Sequence, residues 1–144
     1  MTLAENKKAY FDYEILRTFE AGVALFGYEV KSIKTGRANL KGTYVILRGG
    51  EAYLINCDIT PYQPKNTPKD YDPTRPRKLL LRKSELKELI GSSAKKGLTI
   101  VPLKMYTKQA KIKLEFGLCR GKKKHEKKEK LKKRDIEREI GKRL

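Results

Sequence analysis

The last 24 residues of this chain, from Gly121 to Leu144, hold only Leu131, Ile136, Ile140 and Leu144 as large apolar groups. A segment with so little to bury cannot build a core, so whatever packs must be drawn from residues 1–120. The 144-residue chain is thereby divided into a body, one domain by size, and a tail. Both parts are basic. The tail carries 12 basic and 5 acidic residues, a net +7, and the body carries the remaining +11 of the formal net charge of +18. A field of this strength attracts polyanions, because each neutralised phosphate releases counterions. Nucleic acid is the first class of partner it suggests and an anionic membrane surface the second.

The body reads mainly as short strands. Phe11, Tyr13 and Ile15 alternate with Asp12, Glu14 and Leu16, a half-buried strand. Ala21-Gly22 suggests a turn, and Val23 to Phe26 a returning strand. At Tyr28 the period changes, with Val30 and Ile33 three apart and Gly36 at a C-cap position, which predicts a helix over 28–35. Thr43–Arg48 and Glu51–Cys57 are rich in strand formers around Gly49-Gly50, a two-residue loop suited to positive φ, and form the clearest hairpin. Five of the six prolines fall within 61–76, which predicts an extended loop. Ser84 can cap a helix with Glu85 and Glu88 in its first turn and Leu86, Leu89 and Ile90 on its apolar face, ended by Gly91. Ser92 or Ser93 can start a further turn closed by Gly97. Thr99–Tyr106 and Lys111–Leu118 are two more strands, the first at an edge or bulged because Pro102 has no amide donor. The expected architecture is a small antiparallel barrel of the oligonucleotide-binding kind, with short helices and a basic C-terminal tail.

In the tail, Glu126–Lys130, Glu129–Lys133 and Glu139–Arg143 lie four apart with the acid first, and each pair supports a helix by about 0.2–0.5 kcal/mol. Ile136, Ile140 and Leu144 make only a thin apolar stripe. Residues 121–144 are therefore expected to be disordered when free and helical against a polyphosphate wall. The alternative is a solvated basic tail that raises non-specific affinity.

Several chemistries find no support. Cys57 and Cys119 have neither metal-ligand nor disulfide-framework spacing, and each sits in an apolar run where a buried thiol fits. No metal, cofactor or enzymatic activity is expected. The start is polar and no apolar stretch approaches membrane-spanning length, so a cytoplasmic protein without a membrane partner is predicted.

A series of local motifs carries a resemblance. Asn6-Lys-Lys-Ala-Tyr-Phe-Asp-Tyr-Glu14, Phe19-Glu-Ala-Gly22, Glu29-Val-Lys-Ser32 with Gly36 and Ala38-Asn39-Leu40 come first. Asp72-Pro-Thr-Arg-Pro-Arg-Lys-Leu-Leu-Leu81, Lys96-Gly-Leu-Thr99, Val101-Pro-Leu-Lys104, and Gly121-Lys-Lys123 with His125 follow in order. Together they resemble the small protein B family over nearly the whole chain. The resemblance implies an oligonucleotide-binding-type barrel that binds the transfer-RNA-like domain of transfer-messenger RNA and enters stalled ribosomes with it. It implies that the body replaces the missing anticodon arm while the tail enters the small-subunit decoding centre and empty mRNA channel. Elongation factor Tu is implied as a partner through the alanylated RNA.

By the same resemblance, Asn6, Lys7, Lys8, Glu20 and Leu80 belong to the RNA-binding face, with Glu29 and Lys31 added. Lysines hold phosphates, Asn6 and Glu20 can hydrogen-bond bases or ribose hydroxyls, and Leu80 offers an apolar surface to an unstacked base. The competing readings are core packing for Leu80 and a solvated helix face for Glu29 and Lys31. Gly121, Lys122, Lys123, His125, Lys127, Lys128 and Ile136 match the decoding-centre segment. Lys128 stands where Arg is commoner, which loses bidentate phosphate contact, and Ile136 where Trp is frequent, which replaces stacking by apolar contact. Two rivals remain: a basic ribosomal-RNA-binding or assembly protein, and a ribonuclease using His125, which no accompanying nucleophile or paired carboxylate supports.

Overall fold

In a computed structural model of the protein, residues 2–121 are described. The expectations for Lys122, Lys123, His125, Lys127, Lys128 and Ile136, and for a conditional helix there, lie outside them.

The body is mainly β. Strands β1 (Thr2–Glu5), β2 (Tyr13–Val23), β4 (Tyr44–Arg48), β5 (Glu51–Ile55), β7 (Arg77–Leu80), β8 (Leu98–Lys108) and β9 (Lys111–Gly121) make one antiparallel sheet in the order β1-β8-β9-β2-β7-β5-β4. A two-stranded ribbon pairs β3 (Ala38–Asn39) with β6 (Asp58–Ile59). Helices α1 (Lys7–Asp12), α2 (Gly27–Lys34) and α3 (Lys83–Ser93) complete the set, with a 3-10 turn at Pro64–Asn66. Among the described residues the ladder is open, and no pairing returns from β4 to β1. The sheet nevertheless curls. Cα atoms of β4 come within 8 Å of β8, and Val45 of β4 shares one core with Ile100 and Met105 of β8.

Alternation explains most of that core. Phe19 and Ala21 on β2, Ala52 and Leu54 on β5, Leu79 on β7, and Ile112, Leu114, Phe116 and Leu118 on β9 all point inward, joined by Ile33 of α2 and Leu89 of α3. The tight hairpin is as expected, with Gly49 and Gly50 at φ 58° and 75°.

Two bulges divide the outer face of the sheet. Leu103 is the extra residue between Pro102↔Phe116 and Lys104↔Glu115, and Leu16 is the extra residue in β2 between Ile15↔Cys119 and Arg17↔Leu118. Each reverses the strand's alternation. Up to and including the bulge residue, β8 turns Val101 and Leu103 outward, where α1 covers them through Ala9 in a second small core with Cys119, Tyr13 and Ile15. After it, Lys104, Tyr106 and Lys108 alternate with inward Met105 and share the outer face. One end of the outer face is thus sealed by α1, and the other is bare and polar.

Some local expectations are corrected. Ala21-Gly22 is no turn: β2 runs through it, since Ala21 packs inward and Gly22 pairs with both Leu80 and Lys113. No returning strand forms over Val23–Phe26, and Phe11 and Asp12 belong to α1, so β2 begins at Tyr13. Helix α3 starts at Lys83 with Arg82 as N-cap, whose amide donates to Glu85 Oε1 at 3.4 Å, and it continues through Gly91. The expectation for Pro102 holds: β8 bulges beside it, and β1 pairs with β8 over Lys104–Tyr106 and not at Pro102.

Candidate nucleic-acid interface

The bare end of the outer face carries the first candidate site. Glu20 on β2 and Leu80 on β7 line one groove with Gly22, Leu81, Arg82, Glu85 and Lys113. Leu80 is 55% exposed, which rules out core packing. Its side chain lies over Gly22: a Cβ added there would stand 3.3 Å from Leu80 Cβ and 3.5 Å from Cδ1. The missing side chain at position 22 is therefore what lets Leu80 rest against the backbone of β2. On its other flank Leu80 borders a more apolar groove lined by Val23, Leu25, Val30 and Ile112, with Lys111 and Lys113 at its rim. A leucine ridge between an apolar and a polar groove, with cations beside it, suits an unstacked base next to a phosphate.

Glu20 is held in place. Its carboxylate accepts a hydrogen bond from the Tyr106 hydroxyl and pairs with Lys108 Nζ at 3.3 Å. The Tyr106 bond lowers its pKa most, partial burial opposes this, and Lys108 and Lys113 add to the lowering. The group is a carboxylate, an acceptor only, and RNA supplies donors in base N–H groups and ribose hydroxyls.

Asn6 and Lys8 are brought together elsewhere, in a groove with Asp12, Tyr13, Lys41, Thr43, Tyr44 and Thr99. Asn6 sits where β1 meets α1, and its side-chain amide donates to the Pro102 carbonyl at 3.0 Å while its backbone amide donates to Leu103 O at 2.7 Å. It therefore ties the chain to the β8 bulge and leaves its amide oxygen for other contacts. Lys7 and Lys8 are exposed on α1. Lys31 is exposed on α2 and lines a fourth groove with Tyr28, Tyr62, Gln63 and Asn66.

Glu29 requires a correction. It has 0% exposure and no surface to offer RNA. Its Oε2 accepts from Arg77 Nη2 at 2.6 Å, Arg77 Nε at 3.1 Å, Arg75 Nε at 3.2 Å and the Tyr71 hydroxyl at 3.1 Å. Its Oε1 accepts from Arg75 Nη2 and from the Phe26 amide at 2.9 Å. Burial pushes its pKa up, but the bonds from Arg75, Phe26 N–H and Arg77 prevail and hold it below the usual carboxylate value. Arg77 is itself fully buried and also donates to the carbonyls of Cys57 and Pro73. This cluster pins the proline-rich segment to α2. Tyr71 is pushed up to about 12 by burial and by the neighbouring Glu29.

Lys113, Arg82 and Tyr106 were not singled out from the sequence. The alternation of Lys111, Lys113 and Glu115 with Ile112, Leu114 and Phe116 was the available signal, since it places Lys113 on the face opposite the core.

Comparison with known proteins points in one direction. The family model described as SmpB protein matches residues 3–144. SsrA-binding proteins of Gloeothece citriformis and Carboxydothermus hydrogenoformans are 51% and 50% identical, covering 96% and 99% of this chain and 89% and 95% of their own lengths. That of a Sulfurihydrogenibium species is 51% identical over 97% of this chain and 91% of its own. A solved structure described as "tmRNA-SmpB: a journey to the center of the bacterial ribosome" superposes with a TM-score of 0.68 at 49% identity, covering 83% of this chain and 84% of that one.

Proposed function

This chain belongs to the SmpB protein family, and from that premise we propose that the bare end of its outer sheet face is where it binds RNA. The protein binds transfer-messenger RNA and delivers it to stalled ribosomes. Its work is binding and positioning. The observation that carries the placement is the shared groove of Glu20 and Leu80, flanked by Arg82 and Lys113. The transfer-RNA-like domain is the part of the RNA assigned to it. Lys7, Lys8 and Lys31 act as phosphate contacts around it, and Asn6 contributes its amide oxygen. The approach of β4 to β8 supports reading the curled sheet as an oligonucleotide-binding-type barrel.

The tail has a separate task in this reading. Gly121, Lys122, Lys123, His125, Lys127, Lys128 and Ile136 reach the decoding centre and the empty mRNA channel, supported by the tail's net +7. The alanylated RNA arrives with elongation factor Tu, in the cytoplasm. Deleting residues 121–144 tests the division of labour. Binding to transfer-messenger RNA is expected to survive, with strong salt dependence from the +11 body. Single-round alanine transfer on ribosomes holding a truncated message is expected to be abolished. Normal transfer by the tail-less protein would reduce the tail to a charge anchor.

A further inference from the structure

Glu20 lies on the open surface, yet its carboxylate is gripped from two strands away. Glu20 pairs with Glu115 of β9, while Tyr106 pairs with Lys113 on the opposite side of that strand. The phenol therefore crosses β9 diagonally to donate its hydroxyl to Glu20 Oε2. Lys104 Nζ sits 5.6 Å from the centre of the Tyr106 ring and is itself 3.5 Å from Glu115 Oε2. The tyrosine is thus restrained at both ends, by a cation at its ring and by the carboxylate at its tip. Lys108 also touches Glu20, but its side chain is 56% exposed on a flexible four-carbon stem. A ring with two rotatable bonds fixes a direction better than such a stem.

We propose that Tyr106 is a positioning residue for RNA recognition, its hydroxyl fixing the Glu20 carboxylate as an acceptor in the groove beside Leu80. This rests on the reading that Glu20 contacts RNA. A free surface glutamate must be ordered when it binds, and a bond already made in the unbound protein removes that cost. The bond also keeps the group ionised, because a protonated carboxyl would present a donor to RNA donors. The groups facing Glu20 are Tyr106 and Lys108 from β8, Lys113 and Glu115 from β9, and Arg82 and Glu85 at the start of α3. Of these, the Tyr106 bond contributes most to keeping the carboxylate charged.

The test uses the full chain, the transfer-RNA-like domain as probe, and Tyr106→Phe, Glu20→Gln and the double variant, each titrated from neutral to mildly acidic pH. Tyr106→Phe is expected to weaken binding about fivefold at neutral pH, the scale of one lost hydrogen bond. Its affinity is also expected to start falling at a higher pH than that of the natural protein, because the Glu20 pKa rises without the phenol. Added to Glu20→Gln, the same change is expected to cost nothing further. Two results overturn the proposal: Tyr106→Phe binding like the natural protein with the same acid limb, or a double variant whose loss is the product of the single losses. If Glu20→Gln binds normally, the role of Glu20 itself falls and the proposal with it. If Glu20→Gln is impaired while Tyr106→Phe is not, only the positioning role falls.

Discussion

Glu20 and Glu29 are nine positions apart, and each is held by a tyrosine hydroxyl and by cations. Their uses are opposite. Glu29 spends its lone pairs inward, on two arginines, a tyrosine and a backbone amide, with no exposure left. Glu20 is held by Tyr106 and Lys108 at the rim of an open groove. What separates them is the cations. Arginine grips a carboxylate through several fixed donors and suits a buried site, whereas lysine leaves the carboxylate hydrated and available. The difference shows that a glutamate in a basic protein is read by where its partners come from, and not by its nearness to other functional positions.

The largest effect separating the two regions is expected from Glu29→Ala. It leaves Arg77 buried without its counter-ion, which costs about 3–5 kcal/mol. Urea denaturation should show that loss, and RNA affinity should fall only as far as the folded fraction does. A variant as stable as the natural protein would end the distinction. Glu20→Ala is the mirror experiment. Unfolding free energy should change by less than about 0.5 kcal/mol, while RNA binding weakens by about 1–3 kcal/mol despite the gain of positive charge. A gel shift that shows tighter binding would make the groove a purely electrostatic surface.

Acid sharpens the comparison further. Both carboxylates have lowered pKa values in the folded protein, so the stability each confers is present above the unfolded-state value and is lost as pH falls through the folded one. Only Glu29 is expected to matter for the acid-unfolding midpoint, because Glu20 is solvent-screened. A Glu29→Gln variant should flatten the acid limb of the stability curve, and Glu20→Gln should leave it in place. The smallest effect is expected from Gly22→Ala, which makes Leu80 give by a few tenths of an ångström. RNA affinity should drop about two- to threefold, within the range of one weakened contact, and the drop should vanish in a Leu80→Ala background.

The sequence made the helix of α2, the Gly49-Gly50 hairpin and the β8–β9 pair legible, because each shows its period over a sufficient length. Strands β1 and β7 escaped notice at four residues each, too short for alternation to stand out. The bulges at Leu16 and Leu103 were hidden for another reason: they reverse the phase of a strand, and only the partner strand reveals which face follows. Leu80 was assigned by resemblance, and its exposure was not legible, since β7 is too short to show which of its residues face outward. Glu29 was misplaced because its partners lie 46 and 48 positions downstream, beyond any local window.

Strand β7 has a consequence in time. The β4–β5 hairpin and the β8–β9 pair join neighbours in the chain and can form within microseconds. Among the described residues the hydrogen-bonded ladder joins the two groups through β7, which holds β2 at Gly22 and Val23 and β5 at Ala52, Tyr53 and Leu54. That seam must wait for a proline-rich connection to close and for Arg77 to find Glu29, a pairing whose loop entropy is met before any contact repays it. The strand that ends in Leu80 is thus expected to join the sheet after the two hairpins. If RNA seats in the groove as proposed, it bridges that joint and should slow hydrogen exchange at β7 more than at the hairpins on either side of it.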